Sequence, residues 1–478
     1  MLLDEVRSAP RPAGRRTVYA VMAACSVLVV SLVAAVNLAV PKLAASALAP
    51  SPGQLLWIVD AYVLVFGCLL IPAGALGDRY GRKGALLTGL ALVAAGALVS
   101  AAAPGVAVLL AGRVVTGAGA ALVMPATLSL MLEVTEPAGR PQAVAVWTAA
   151  TGVAGVVGNV GGGLALQYLP WQGLFLSVAP LAAVLGLLAA RFAPRGERRP
   201  ATPDPVGSAL LVAGVGALLY GIVEGPSSGW VSVPVVGGLL ASAALLALFA
   251  VRSLRSDRPL LDPRVFRARR LRAGSLGVGA AFFGLFSLFY VNAQYLQYAK
   301  GYSPLVAGCA IVPLAVGMMV ASRHSVRLAA RFGDGVVAVG LAGIVGGLVL
   351  MSFATASTPY PLYALCLLVL SVGMGLCVPV LSAAVMTSLP QARAGLGSGL
   401  NGAAREIGSA LGVAVMGTSL SSHGSEVFST AMSFGFRVVA GIVLAVSFVT
   451  LVWWRGGDGA PETAPAGWSG EVGRGPVG

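Results

Sequence analysis

The chain has 478 residues, of which 57% are hydrophobic and only 10% carry a charge, and its mean hydropathy is +0.89. A soluble domain of this size cannot hide so much apolar side chain, because its surface has to stay polar. The composition therefore excludes an ordinary soluble protein and indicates one whose solvent is lipid. The first 16 residues are polar and Arg-rich, and the first apolar run has full spanning length, so we expect no cleaved signal peptide.

Runs of about 20 apolar residues, the length that an α-helix needs to cross a bilayer, recur along the whole chain. They predict an all-α integral membrane protein with fourteen transmembrane helices. These are placed at residues 17–40, 54–76, 84–103, 106–131, 141–166, 170–191, 205–225, 231–252, 272–296, 304–323, 334–354, 360–381, 396–421 and 431–454. The break between the third and fourth helices falls near Pro104, and that between the fifth and sixth near Pro170.

The cationic side chains are distributed unevenly over the segments between these helices. If both termini are cytoplasmic, the outer segments contain only Lys42 and Lys300, and nearly all other Lys and Arg residues lie in the inner segments. The positive-inside rule then predicts a bacterial inner-membrane protein with both termini in the cytoplasm. The net charge of +14 is thus a topology signal, and no nucleic-acid partner is expected because aromatic residues are not interleaved with the cations. The five cysteines lie in apolar runs, where neither a disulfide nor a metal site is expected.

A short charged motif follows the second predicted helix and has a weaker echo after the tenth. The motif is GDRYGRK, residues 77–83, and the echo is RLAARFGD, residues 327–334. A repeat eight helices apart fits two six-helix bundles with two helices inserted between them. The predicted organisation is a cytoplasmic tail at 1–16, a bundle at 17–200, an inserted pair at 201–256, a bundle at 257–455 and a disordered tail at 456–478.

The GDRYGRK motif has the properties of a gating loop. Glycines allow a tight turn, the cations hold the loop at the inner face, and Asp78 can sit at a helix N-terminus, where the dipole favours an anion. Such an interaction is worth about 0.3–1 kcal/mol, or about 2 when partly buried, so it can open and close. The predicted gating residues are Gly74, Asp78, Arg79, Gly81, Arg82 and Lys83.

Six stretches of the chain, in order, resemble the major facilitator superfamily. GALGDRYGRKGALLTG (74–89) is similar to its signature loop, RVVTGAGAALVMPA (113–126) to the fourth-helix motif of proton-coupled members, and GVAGVVGNVGGGLALQYLPWQGLFL (152–176) to the fifth-helix antiporter motif. WIVDAY (57–62), YLQYAKGYSPLVAG (295–308) and NGAAREIGSALGVAVMG (401–417) resemble the fourteen-helix drug:proton antiporter branch, the EmrB/QacA-like exporters.

The resemblance implies the major facilitator fold and export driven by protons. It also implies a role for the antiporter-motif helix, through Gly155, Gly158, Asn159, Gly161 and Gly162. Three positions depart from the pattern of the branch. Leu32 stands where the first helix usually has an acid, Asn159 replaces a proline, and Glu406 follows Arg405 where glutamine is common.

Ionisable side chains at bilayer depth are costly and usually functional, which singles out Asp60 and Glu406. Asp60 lies about 9 Å into its helix from the outside and Glu406 about 16 Å from the inside. Asp60, Glu406 and Arg113 are predicted to couple protons to transport. Arg113 would favour the ionised form of Asp60, and Glu406 would partly replace the acid absent at Leu32. Arg113 enters the bundle at a depth similar to that of Asp60, so a fixed Asp60–Arg113 ion pair is the alternative. Glu224 is interpreted as a headgroup-level residue.

Uncharged polar residues in the predicted spans supply candidates for a substrate pathway: Asn37, Asn292, Gln294 and Asn401. Hydrogen bonds between helices explain them equally well. The glycines of the fifth helix are likewise consistent with plain packing or with a bend between two states.

The sequence therefore predicts a proton-coupled exporter of amphipathic small molecules, cationic or aromatic, that works as a monomer by alternating access. It would need no cofactor beyond the proton motive force. A symporter or facilitator for a small metabolite is the nearest alternative. A membrane-embedded transferase is the remote one, since the acids are scattered and the chain has only two histidines.

Overall fold

The computed structural model describes residues 14–194, 204–256, 259–302, 304–389, 394–421 and 428–455. Within these ranges the chain forms helices and turns and no β-strand, which confirms the predicted all-α class. The helices are α1 Arg15–Ala44, α2 Pro52–Tyr80, α3 Arg82–Ala101, α4 Val106–Glu133, α5 Arg140–Tyr168, α6 Trp171–Phe192, α7 Pro205–Ser228, α8 Val233–Arg255, α9 Arg269–Gln294, α10 Pro304–Cys309, α11 Val312–Phe332, α12 Gly335–Met351, α13 Tyr360–Thr387, α14 Ala394–Ser421 and α15 Phe428–Arg455.

The helices begin and end where the sequence supplies local signals. Ser51 and Gln54 form a capping box at the start of α2, and the carboxylate of Asp204 accepts a hydrogen bond from the backbone of Gly207 at the start of α7. Pro170 precedes the first turn of α6, at one of the predicted breaks. Between α2 and α3 the only residue is Gly81, whose φ of +107° is a conformation that favours glycine.

Twelve helices of the described chain are long and apolar enough to cross a membrane. Two further predicted spans correspond to α12 and α14. α12 has 17 residues and falls short of the usual length, and α14 has 28 residues but a polar stretch, Asn401–Glu406, in its middle. α12 packs against α13 and α15, and α14 packs against α2 and α9. The count of fourteen spans stays a prediction.

Buried side chains of the described residues form two large cores, a third that joins them and a fourth, smaller one. The N-terminal half, α1–α6, has one large core and the fourth one, and the C-terminal half, α9–α15, has the other large core. The third core combines Cys68 and Ile71 of α2 with residues of α7, α8 and α14, so the hairpin α7–α8 packs where the two halves meet. The division into bundles at 17–200 and 257–455 stays a prediction. The tail at 456–478, residues 1–13 and the boundary near residue 200 lie outside the described residues.

Two predicted helix ends are wrong. α2 continues to Tyr80, so Asp78 and Arg79 belong to its last turn, and the predicted gating loop is a helix end followed by Gly81 alone. The helix can extend through these charged residues because the Asp78 carboxylate finds partners in Arg82 and in the backbone of Gly395 and Leu396. Likewise, predicted helix 304–323 is two helices, and α11 runs on through most of the echo at 327–334.

Candidate functional site

The clearest polar contact between the two halves joins the end of α2 to the start of α14. The carboxylate of Asp78 accepts hydrogen bonds from the backbone N–H groups of Gly395 at 3.0 Å and Leu396 at 3.1 Å. Both donors are among the first four N–H groups of α14, which have no partner inside the helix, and the helix dipole adds to the attraction. We call this arrangement the Asp78 latch.

The cations of the same motif bind within the N-terminal half. Arg82 pairs with Asp78, Nε to Oδ1 at 3.0 Å, and with Glu133 at the end of α4 at 3.4 Å. The Lys83 ammonium donates to the carbonyl oxygens of Ala190 and Ala193 at the end of α6, at 2.7 and 2.9 Å. Arg82 thereby holds the Asp78 carboxylate to one half while its other contacts reach across to the other half.

The helix backbones touch next to the latch. A Cβ atom added to Gly74 would collide with the carbonyl oxygen of Gly395, and one added to Gly395 would collide with that of Gly74. One turn deeper, a Cβ on Gly399 would lie 2.5 Å from the carbonyl oxygen of Leu70. The side of the bundle that carries the Arg-rich connections, here called the basic side, is therefore closed between α2 and α14.

Asp60 and Arg113 lie close together but do not form the ion pair considered above. The Arg113 guanidinium donates to the carbonyl oxygens of Ile58 at 2.8 Å and Val59 at 3.3 Å and lies 4.6 Å from the centre of the Tyr62 ring. Among the ion pairs found within 4.0 Å in the described chain, none joins Asp60 to Arg113. Asp60 is partly exposed, and Arg113 and Glu224 of α7 are charged groups near its carboxylate.

Glu406 lies at the junction of three helices. A Cβ added to Gly67 of α2 would lie 3.4 Å from Cβ of Glu406 and 2.8 Å from Leu219 of α7. Glu406 is partly exposed, whereas Leu32, which stands at the usual acid position of α1, is 3% exposed and belongs to the N-terminal core. The structure thus places Glu406 where α2, α7 and α14 meet, while Asp60 lies on α2 near Arg113 of α4 and Glu224 of α7.

A contact that sequence reasoning missed lies beside Glu406. The Arg405 guanidinium stacks on Phe282 of α9, 4.2 Å from the ring centre, and on Trp147 of α5, at 5.1 Å. Trp147 belongs to the N-terminal half and Arg405 to the C-terminal half. No local pattern marks Trp147, because the contact exists only in the packed bundle.

The glycines of the antiporter-motif helix do not share one surface. A Cβ on Gly158 would collide with the carbonyl oxygen of Ser31, and one on Gly162 would lie 2.9 Å from Ala35, so these two residues pack against α1. Gly155 faces Phe289 of α9, while nothing lies within 4 Å of a Cβ on Gly161. Asn159 donates to the carbonyl oxygen of Gly155 at 2.8 Å within its own helix.

The four predicted pathway residues are dispersed. Asn37 is exposed and donates to Val33 of its own helix, and Gln294 does the same to Tyr290. Asn292 is 6% exposed and accepts a hydrogen bond from the Tyr363 hydroxyl, which is the interhelical bond named as the alternative. Asn401 is completely buried, and neither of its polar side-chain atoms has a partner. Their role in a pathway stays a prediction.

A cavity of about 270 Å³ lies between α1, α5 and α11. Its wall is mostly apolar, with Gln142 and Arg323 as its polar members, and none of the predicted pathway residues contributes to it. The cavity lies between the two halves, because α1 and α5 belong to the N-terminal half and α11 to the C-terminal half.

These features define a class: a multi-pass helical membrane protein built from two helical halves with polar contacts and glycine contacts at their junction. Comparison with known proteins gives the family. The family model of the Major Facilitator Superfamily matches residues 20–413, and the chain belongs to that superfamily.

Curated relatives and solved structures agree with this family. The chain is 33% identical over 326 residues to the methylenomycin A resistance protein of Streptomyces coelicolor, covering 68% of each chain. It is 31% identical to the tetracenomycin C resistance and export protein of Streptomyces glaucescens, covering 78% of this chain and 70% of that one. A crystal structure of the human organic anion transporter MFSD10 shares the fold, with a TM-score of 0.66 and 18% identity, over 90% of this chain and 99% of that one.

Proposed function

We propose that the chain is a proton-coupled exporter of amphipathic small molecules, cationic or aromatic, that confers resistance to a drug or antibiotic. The observation that carries the proposal is its sequence similarity to proteins named for antibiotic resistance and export, two of which are at least 31% identical over two thirds of this chain or more. The proposal assigns transport and no chemical reaction to the chain, which works as a monomer in the bacterial inner membrane.

The proposal extends to topology. The basic side would face the cytoplasm, since an excess of Lys and Arg marks cytoplasmic connections. α12 and α14 would be the two spans beyond the twelve apolar ones, which gives the fourteen helices of the EmrB/QacA-like branch. At 1.5 Å per residue, α14 has a length of about 42 Å, ample for the hydrocarbon core, and its polar residues face other helices.

The transport step follows from the contacts between the halves. With the Asp78 latch closed, the basic side is sealed, and opening it requires Asp78 to leave the N-terminus of α14. The carboxylates proposed to exchange protons with cargo are Glu406, partly exposed where α2, α7 and α14 meet, and Asp60, partly exposed on α2. A proton moving inward through 100 mV and one pH unit releases about 3.7 kcal/mol, which sustains a cargo gradient of several hundredfold.

A susceptibility panel in an efflux-deficient host tests the proposal. Expression of the wild-type chain should raise the inhibitory concentration of at least one amphipathic drug or antibiotic. Asp60→Asn should abolish protection of the host against cationic compounds, while Asp60→Glu, which keeps the charge, should retain part of that protection. A wild-type chain that reaches the membrane and protects against no compound of the panel would refute the proposal.

Proteoliposomes test the direction of coupling. The liposomes are loaded with cargo, and a proton gradient directed into them is imposed. Antiport then drives cargo out of the liposomes. A symporter, the nearest alternative, would move cargo in the same direction as the protons. The sign of cargo movement under one imposed gradient therefore decides between the two.

A further inference from the structure

Arg405 is a buried cation in an unusual environment. It is 5% exposed, no carboxylate of the described chain is found within 4.0 Å of it, and its Nε–H has no hydrogen-bond partner. Its positive charge rests on two aromatic faces, Phe282 and Trp147. Aromatic faces attract a guanidinium, but they leave its hydrogen-bond donors in the plane unused.

Asn401 lies one helical turn before Arg405, on the same face of α14. It is completely buried, and both its amide nitrogen and its amide oxygen lack a partner. Long side chains in a helix lean towards its N-terminus, so the Arg405 guanidinium covers the turn that carries Asn401. Unused donors of both residues therefore lie close together, and buried donors without partners are rare in proteins.

The two aromatic partners of Arg405 belong to different halves. Phe282 is on α9 in the same half as Arg405, whereas Trp147 is on α5, and its indole N–H donates to Thr127 of α4 at 3.2 Å. When the two halves separate on the basic side, Trp147 moves with the N-terminal half and one face of the guanidinium becomes free. The freed position has a flat cationic surface next to two unused N–H donors.

We propose that Arg405 and Asn401, together with the ring of Phe282, bind a cargo group made of an aromatic ring with a carboxylate, which replaces Trp147 when the basic side opens. The ring stacks on the guanidinium face that Trp147 leaves, and the carboxylate accepts hydrogen bonds from the Arg405 Nε–H and the Asn401 amide. This inference rests on the proposed export function and names a class of cargo for it. Trp147 is then a competitor that returns when cargo departs.

Competition makes two substitutions act in opposite directions. Arg405→Lys keeps the charge but loses the flat face and the Nε–H, so aromatic carboxylates should bind about fivefold more weakly or worse. Trp147→Leu keeps most of the volume but removes the competing ring, so the same ligands should bind more tightly, by about threefold or more. Damage to the fold would weaken binding in both variants.

The experiment measures equilibrium binding of 2-naphthoate to the purified full-length protein in detergent, with 2-(aminomethyl)naphthalene as the ligand of opposite charge on the same ring. Arg437→Lys is the matched control. Arg437 also contacts an aromatic ring, that of Phe353, but Arg437 lies on α15 and not on α14. We expect weaker naphthoate binding with Arg405→Lys and Asn401→Leu, tighter binding with Trp147→Leu, and no change with Arg437→Lys or for the amine.

Other results would overturn the subsite. These are no naphthoate binding by the wild-type chain, effects of the same sign for Arg405→Lys and Trp147→Leu, or equal effects on naphthoate and on the amine. If such a result is obtained while the wild-type chain still protects cells against drugs, the proposed subsite is refuted and the proposed export function stands. A wild-type chain without any protection in cells refutes the proposed function instead.

Discussion

Asp78 binds the backbone N–H of Gly395 at 3.0 Å, across 317 residues of chain and across the junction of the two halves. The carboxylate occupies the N-terminus of α14, where its charge is favourable, and Arg82 holds it from the side of α2. A single acid thus connects the end of one helix to the start of another that belongs to the opposite half.

Asp78→Asn should open the basic side. The amide keeps the shape of the carboxylate but loses the charge, and a loss of about 1–2 kcal/mol would change the population of the open state by about 5–30-fold. The measurement is the rate of alkylation of a cysteine placed at position 398 by Ser398→Cys, because Ser398 is only 3% exposed in the closed state. The exposed Cys309 is replaced by Ser in all variants. Glu133→Gln, which removes only the 3.4 Å partner of Arg82, should have a smaller effect. Equal alkylation rates in all variants would contradict the latch.

Gly74 and Gly77 form a matched pair three residues apart in the same motif. A methyl group on Gly74 collides with Gly395, whereas one on Gly77 meets only Cβ of Ala85, at 3.6 Å. Gly74→Ala should therefore prevent closure of the basic side and abolish export, while Gly77→Ala should export normally. Drug protection with matched membrane expression measures both, and wild-type activity of Gly74→Ala would show that the backbones do not need this close contact.

The sequence could predict that Asp78 sits at a helix N-terminus, but not which helix supplies it. The charge and glycine pattern of GDRYGRK are local, whereas α14 begins more than 300 residues later, and several helices start on the same side. The same limit applies to Arg113. Its depth in the membrane is readable from the sequence, but the carbonyl oxygens of Ile58 and Val59 that occupy its donors appear only when α2 and α4 are packed.

The helical class and the breaks at Pro104 and Pro170 were predictable, because apolar run length and proline act locally. The number of spans was harder to predict, since α14 has a polar centre that is tolerable only when covered by α2 and α9. The Arg405–Trp147 contact could not be predicted at all. It joins α5 to α14, and neither residue belongs to a repeating pattern.

Gly158→Ala and Gly161→Ala should act in opposite directions on stability. Gly158 touches the backbone of α1 at Ser31, so an added methyl group forces α1 and α5 apart and lowers the melting temperature in detergent. Gly161 has open space around its Cβ position, and alanine there should stabilise the helix by about 0.5–1 kcal/mol because glycine is the poorer helix former. A fall in melting temperature with Gly161→Ala would mean that α5 has to bend there.

Asp204 should make the stability of the α7–α8 hairpin depend on acid pH. Burial opposes its ionisation, but hydrogen bonds from Arg252 at 2.7 Å and from the backbone of Gly207 at 2.8 Å hold the pKa of Asp204 below its ordinary value. A lowered pKa means that the carboxylate stabilises the fold at pH values above about 4 and that this contribution disappears as the pH falls through the pKa of the folded state.

The measurement is the melting temperature of wild type and Asp204→Asn between pH 3 and pH 8. Asp204→Asn should melt lower at pH 7, and the difference should shrink as the wild type becomes protonated. The exposed Glu136→Gln is the control for a general change of charge. A constant difference over the whole range would show that the carboxylate acts by its shape alone.

Glu406→Gln tests whether the acid of α14 carries protons. Glu406 is partly exposed beside Gly67 and Leu219, and α1 has Leu32 where the resemblance to the EmrB/QacA-like exporters implies an acid. If Glu406 exchanges a proton for cargo, the Glu406→Gln variant should transport at a rate that no longer responds to external pH. It should lose net export against a gradient but retain the exchange of cargo for cargo. Asp60→Asn in the same assay should impair binding of cationic cargo more than it changes the pH response. Proteoliposomes with a fixed cargo gradient and a varied proton gradient separate these effects, and an unchanged pH profile for Glu406→Gln would exclude it as the coupling acid.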